Sequence, residues 1–399
     1  MDIEKIRNDF PILRKGVIYL DSAASSLTPE PVINSMIDFY HNFRANVSRG
    51  VYEFSTIATE KYEEAHKKVQ EFFNAKNGEI IFTKNTTESI NIVAFSFPFK
   101  KGDKIITTYI EHHSNFLPWV KVSEIFDLEL EIIKPDEEGI FNLKDFEDAI
   151  DRKTKLIAVN HISNVLGVIN DIEGIVEIAR KKNVPILVDG AQAAPHIPVD
   201  LKSLDVDFYA ASGHKMLGPT GTGVLFINDR MRDIIKPSFL GGGTIKDVDK
   251  KDYKLVDNYE RFEPGTPHIA GGIGLGKACE YLSKIGMENV KNYEHKLTER
   301  IVNGLVERGV NIFGPRDLNK RIGVVSFEIE NLPPHRVAFF LSENFNIAVR
   351  SGHHCAYNIL KYIIKREQGT CRASTYIYNT EDEIDKFLEA IDEIKRMGL

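Results

Sequence analysis

The feature that most constrains this chain is the alternation of short apolar, β-branched runs with amphipathic segments of helical period. Runs at Leu130 to Ile133, Leu156 to Val159, Ile186 to Val188, Phe208 to Ala211 and Val224 to Ile227 are interleaved with helical patterns such as Leu143 to Ile150 and Ile172 to Lys182. Apolar strands joined by crossover helices belong to a mostly parallel sheet lying between helices. The last two runs are joined differently, by the polar stretch SGHKMLGPTGTG with one lysine and four glycines. Its residues carry turn chemistry, so Lys215 is expected on a tight loop between two strands.

Most loop lysines are solvated surface amines. The neighbours of Lys215 argue for more: Ser212 and His214 are compact hydrogen-bonding side chains, and Gly218, Gly221 and Gly223 are expected to let backbone N–H groups approach an anion. A lysine beside an anion cradle points to pyridoxal phosphate, whose aldehyde condenses with a lysine amine and whose phosphate needs several donors. The pyridine nitrogen then needs an acid. PILVDGAQAAPH places Asp189 at the end of an apolar strand with Gln192 three residues on, where open α/β sheets put ligand-contacting groups.

Together, VDGAQAAPH and SGHKMLGPTGTG resemble the cofactor core of the class V aminotransferases and, within them, of the cysteine desulfurases. The resemblance implies a fold-type I α/β enzyme using pyridoxal 5′-phosphate. It would have a large domain over residues 16–265, built on a mostly parallel seven-stranded sheet, and a smaller α+β domain over residues 266–399 together with 1–15.

Composition is that of an ordinary globular protein: 399 residues, 42% hydrophobic, 27% charged, formal net charge −7. Lysines and arginines are interspersed with acids, which argues against nucleic acid as a partner. The apolar stretches are only strand-length and the N-terminus is charged, so no membrane span or signal peptide is expected and the cytoplasm is the expected location. Cys279, Cys355 and Cys371 are sparse and lack CxxC spacing, against a disulfide framework or a thiolate metal cluster.

Several segments offer further site residues. VIYLDSAASSLTPEP runs from a strand into a helix, and its small residues Ala23, Ala24 and Ser25 leave room at a site. Thr86 and Thr87 begin a helix after the strand GEIIFT, where hydroxyls and free N–H groups suit phosphate, although N-capping by Thr86 would explain them equally. His112 and His113 lack a third ligand at metal spacing. A flat imidazole can instead stack on a pyridine ring and move protons, a role the resemblance assigns to His112, leaving His113 structural. Asn164, in SNVLG, is either a turn former or, by resemblance, near the substrate. In EPGTP the resemblance implies that Thr266 reaches across a homodimer to the partner's phosphate.

The C-terminal part carries NIAVRSGHHCAYN and GTCRASTYIYNT. Cys355 follows Arg350, His353 and His354, a setting too polar for a buried thiol and suited to a nucleophile. The guanidinium of Arg372 suits a carboxylate bidentately. RSGHHCA is similar to the Arg-Thr-Gly-His-His-Cys-Ala motif of the SufS-type (group II) cysteine desulfurases, with Ser351 for threonine and Tyr357-Asn358-Ile359 where the pattern has Met-Pro-Leu. The resemblance implies Lys215, Cys355 and His112 as catalytic residues, with Thr86, Thr87, Asp189, Gln192, Ser212, His214 and Thr266 around the cofactor. Asn164, Arg350 and Arg372 would then bind L-cysteine. It also implies a homodimer that passes sulfur to an acceptor or scaffold protein. A selenocysteine lyase, a cysteine-sulfinate desulfinase or another class V enzyme is the alternative.

Overall fold

The computed structural model describes residues 1–397. Its centre is a seven-stranded sheet whose spatial order is Gly78–Thr83, Gly223–Asn228, Phe208–Ser212, Ile186–Asp189, Thr154–Asn160, Lys104–Thr108, Glu129–Ile133. Gly223–Asn228 runs antiparallel to both its neighbours, and every other pair is parallel. Strand period 2 sends successive residues to opposite cores: Ile106, Ile157 and Val188 join one cluster, while Ile105, Leu156, Ala158 and Leu187 join the other. Such strands are buried on both faces, which is why they read as unbroken apolar runs.

Helices close each crossover, with local signals setting their ends. Asp171 caps Ile172–Lys181 by accepting the Gly174 N–H, and Ile172, Ile175, Val176 and Ala179 bury one face. The helix Thr86–Ser96 is capped by Asn85, which accepts the Glu88 N–H at 2.9 Å, and not by Thr86.

A second sheet, antiparallel, has the order Asn311–Phe313, Val324–Glu328, Thr370–Ser374, Arg350–Gly352 and packs its own core, including Leu297, Ile301, Val325, Phe327 and Ile391. Ile18–Tyr19 pairs in parallel with Ile347–Ala348, and Ile18 and Leu20 belong to this smaller core. The large core continues past the division expected at residue 265: helix Ile269–Ile285 packs on helices Glu30–Asn42 and Glu53–Phe72, burying Leu275, Ala278, Cys279 and Leu282. The next helix, Met287–Glu307, spans both cores, with Val290 in the large one and Leu297 in the small one.

Candidate active site

The C-terminal ends of the parallel strands meet the antiparallel sheet at one cavity of about 210 Å³. Ala23, Thr86, Thr87, His112, Asn164, Asp189, Gln192, Ser212, His214, Lys215, Arg350, Cys355 and Arg372 all line it. Of the catalytic, cofactor and substrate residues implied by the resemblance only Thr266 is absent, and Ser25 and the three loop glycines also lie outside the lining. Thr266 is exposed and lines a different cavity with Lys84, Glu88, Phe239 and Leu240.

Lys215 ends a short 3-10 turn, Gly213–Lys215, directly after the strand Phe208–Ser212. Burial lowers its pKa to about 8, with Asp189 opposing the shift. Asp189 ends its strand, is buried, and accepts the Ala191 N–H at 2.9 Å; burial raises its pKa, while that bond and Lys215 pull it down. Gly190 is obligatory beside it, because a Cβ there would lie 2.1 Å from the Tyr209 ring.

The expected glycine cradle is not built as the sequence implied. Gly218 turns its N–H back to the Gly213 carbonyl at 2.9 Å, a Cβ on Gly223 would meet the Asn85 backbone at 2.6 Å, and Gly221 lines the other cavity. Gly218 and Gly223 permit close packing of the loop, whereas Gly221 supplies a positive φ of 72°. The groups in the cavity able to meet an anion are instead those of the N-terminal turn of the helix Thr86–Ser96, Ser212 and His214. Thr86 N–H donates to Ser212 Oγ at 2.9 Å, and the two hydroxyls lie 2.7 Å apart. His214 Nδ1 is 3.2 Å from Ser25 Oγ, and burial, then Lys215, lowers its pKa to about 4.

His112 accepts the Ser114 N–H on Nδ1 at 3.1 Å, which leaves the ring proton on Nε2. Burial, reinforced by Lys215, lowers its pKa to about 3, so the ring is neutral. The residue before His112, Glu111, is one the sequence reading passed over. Its carboxylate accepts from Thr108 Oγ1 at 2.7 Å, Asn115 Nδ2 at 2.6 Å, and the Asn160 N–H and Nδ2, both at 3.0 Å. Burial raises its pKa to about 8 against those bonds.

Cys355 is exposed at the mouth of the cavity, whereas Cys279 and Cys371 are buried; burial pushes the Cys371 thiol up to about 12 and that of Cys279 higher still. Arg372 is buried in the strand Thr370–Ser374, donating to the Asn164 carbonyl at 3.0 Å and to Asp21 Oδ1 at 3.1 Å. The Asn164 amide donates to the His354 carbonyl at 2.7 Å, so it braces the cysteine loop. Asp21 is the second residue missed: it lies in YLDSAA, where only the small residues drew notice.

The donor set fits pyridoxal phosphate on structural grounds. Gln192 Nε2 donates to the Ala23 carbonyl at 2.8 Å while its Oε1 is buried without a partner, as is Arg372 Nε. Buried polar atoms left unmet are those a polar ligand satisfies. Among the described residues no group of three ligand-type side chains is gathered for a metal, and no helix is long and apolar enough to cross a membrane.

The chain belongs to the class-V aminotransferase family, whose model matches residues 18–387. It is 48% identical over 394 residues to a probable cysteine desulfurase of Pyrococcus abyssi, covering 98% of this chain and 97% of that one. Its structure is similar to the apo cysteine desulfurase from Thermococcus onnurineus NA1, with TM-score 0.95, 47% identity, and 99% and 98% of the two chains covered. It is also similar to the cysteine desulfurase CsdA (S-sulfonic acid) from Escherichia coli, with TM-score 0.91, 31% identity, and 100% and 99% covered.

Proposed function

We propose that the protein is a pyridoxal phosphate-dependent cysteine desulfurase that converts L-cysteine to L-alanine and keeps the sulfur as a persulfide on Cys355. The observation that carries this reading is the convergence of Lys215, Asp189, Arg372 and an exposed Cys355 on one cavity. An aminotransferase has no use for a thiol there.

When bound, the cofactor supplies an electron sink that acidifies the Cα proton of the amino acid joined to it. Asp189 holds a proton at the ring nitrogen. Gln192 and His112 bound the ring, and Thr86, Thr87, Ser212 and His214 hold the phosphate. Arg372, aided by Arg350 and Asn164, fixes the substrate carboxylate. Lys215, whose burial favours the neutral amine, takes the Cα proton at Nζ. Cys355 Sγ then forms an S–S bond to the substrate sulfur as the C–S bond breaks. The bonding pair stays on Cβ, which takes a proton equivalent to the one the Cys355 thiol gives up, and Lys215 returns its proton to Cα before L-alanine departs.

The subtype is SufS-like, supported by RSGHHCA and its short cysteine loop. The assembly is a homodimer in which Thr266 completes the partner's phosphate site. Its position outside its own cavity supports this, as do the exposed Phe239 and Leu240 that line the same second cavity as Thr266, apolar groups of the kind partners cover. The persulfide passes to an acceptor protein in the cytoplasm. The test is incubation of the cofactor-loaded protein with L-cysteine and a thiol, measuring alanine and sulfide. Selenocysteine and cysteine sulfinate run in parallel, and preference for either would replace the desulfurase reading.

A further inference from the structure

Cys355 and the preceding His354 both occupy left-handed backbone, with φ of 56° and 52°. L side chains hold that conformation only where the surroundings enforce it, and two in succession at a reactive thiol need an identifiable restraint. Asn164 holds the His354 carbonyl, and a second restraint comes from His113. The His113 N–H donates to the Cys355 carbonyl at 2.7 Å, and His113 Nε2 accepts the Tyr357 N–H at 3.1 Å, so a single histidine grips the loop on both sides of Ala356. The His113 ring also lies parallel to that of Tyr357, with an interplanar angle of 3° and centroids 5.7 Å apart. Tyr357 in turn stacks on His353 at 4.1 Å.

This stack occurs where the chain departs from the motif it resembles, with Tyr357-Asn358 in place of Met-Pro. Without the ring of a proline to fix φ, the segment gains its rigidity from the stack and the bond to Nε2. His113 follows His112, which lines the cavity, so the thiol-bearing loop is registered to the cavity wall through two adjacent residues.

We propose that His113 is a positioning residue that acts through Cys355: its imidazole holds the 354–357 segment so that His354 and Cys355 keep the left-handed conformation that presents the thiol to the substrate sulfur. The catalytic consequence rests on the persulfide reading of Cys355, but the loop restraint does not. Because Nε2 accepts a hydrogen bond, the working form is the neutral Nδ1–H tautomer, and burial, with His353, lowers the pKa of the ring.

The test compares cofactor-loaded wild type with His113→Ala and His113→Gln, whose amide oxygen can still accept the Tyr357 N–H but cannot stack. Hydrogen exchange of the peptide covering residues 353–358 and alkylation of Cys355 by iodoacetamide are read in resting protein. Sulfur on Cys355 and alanine are read after L-cysteine is added. In His113→Ala, exchange at the Tyr357 amide should rise by about tenfold, and alkylation should change by about threefold or more. The kcat should fall by about tenfold with KM for L-cysteine within about twofold, and the spectral response to L-cysteine should be kept. His113→Gln should recover most of the exchange protection. Exchange and alkylation within about twofold of wild type in both variants would overturn the inference. Absence of sulfur on wild-type Cys355 would instead overturn the persulfide reading, while exchange and alkylation still decide whether His113 holds the loop.

Discussion

Arg350 and Arg372 stand directly opposite each other in neighbouring antiparallel strands of the small sheet. Like charges at such a position are unfavourable, and Asp21 relieves them from a third segment, 3.1 Å from Arg372 and 3.9 Å from Arg350. The cavity therefore holds two cations facing the place where an amino acid carboxylate is expected, with one of them already gripping a carboxylate of the protein's own.

Removing the Arg372 guanidinium should cost substrate affinity more than folding. Arg372→Ala is expected to lower kcat/KM for L-cysteine by about 2–4 kcal/mol, mainly through KM, in steady-state assays. Unchanged kinetics would return Arg372 to a purely structural role.

Asp21 should matter most when no substrate is present. Asp21→Asn removes the charge that separates the two guanidinium groups and should lower unfolding free energy by about 1–3 kcal/mol in the ligand-free protein. Because Arg350 is exposed and its contact with Asp21 is the longer one, most of that loss belongs to the contact with buried Arg372. Equal denaturation midpoints for the two proteins would contradict this.

The depressed pKa of Lys215 has a consequence for stability. Between about pH 8, where the folded lysine releases its proton, and its ordinary value of 10.5, the unfolded chain binds a proton that the folded chain does not. Stability of the cofactor-free protein should therefore rise with pH across that window. Lys215→Met should lack this increment, which amounts to about 3 kcal/mol when fully developed. Urea denaturation of both proteins on either side of pH 8 measures the difference, and parallel pH profiles would contradict it.

A buried pair outside the cavity ties the two cores. His196 Nδ1 lies 2.5 Å from Glu294 Oε2, with both side chains essentially inaccessible, and His196 follows Gln192 by four residues. Truncating either partner to alanine should cost about 3–5 kcal/mol, because the other is left buried and unpaired. The double variant should lose less than the sum of the two. Additive losses in thermal or urea unfolding would show that the groups do not support each other.

Much of this molecule is legible in the linear chain, and the parts that are not share a cause. The helix Glu381–Met397 and the strands around Lys215 follow from local periodicity and turn chemistry, which need no knowledge of distant residues. Asp189 and Gln192 are found because strand ends are where such sheets bind ligands. Asp21 escaped notice because its partner lies 351 residues away and nothing local marks it. Glycines 218, 221 and 223 read as an anion cradle because close packing of Gly218 on Gly213 and of Gly223 on Asn85, with the positive φ of Gly221, leaves the same sequence signature as a phosphate loop. Thr86 competed with Asn85 for the cap position, and only the fold shows that its hydroxyl is committed to Ser212.

The central claim is that Cys355 takes the sulfur, and replacing its thiol tests that most directly. Cofactor-loaded Cys355→Ala should still bind L-cysteine and change its absorbance, because Lys215, Asp189 and Arg372 are untouched. Its alanine production from L-cysteine should nearly vanish, while selenocysteine, whose weaker carbon–selenium bond needs less help, should still be cleaved measurably. In wild type the peptide carrying Cys355 should gain one sulfur atom by mass spectrometry as alanine appears. Full alanine production from L-cysteine by Cys355→Ala, with reductant held constant, would contradict the account.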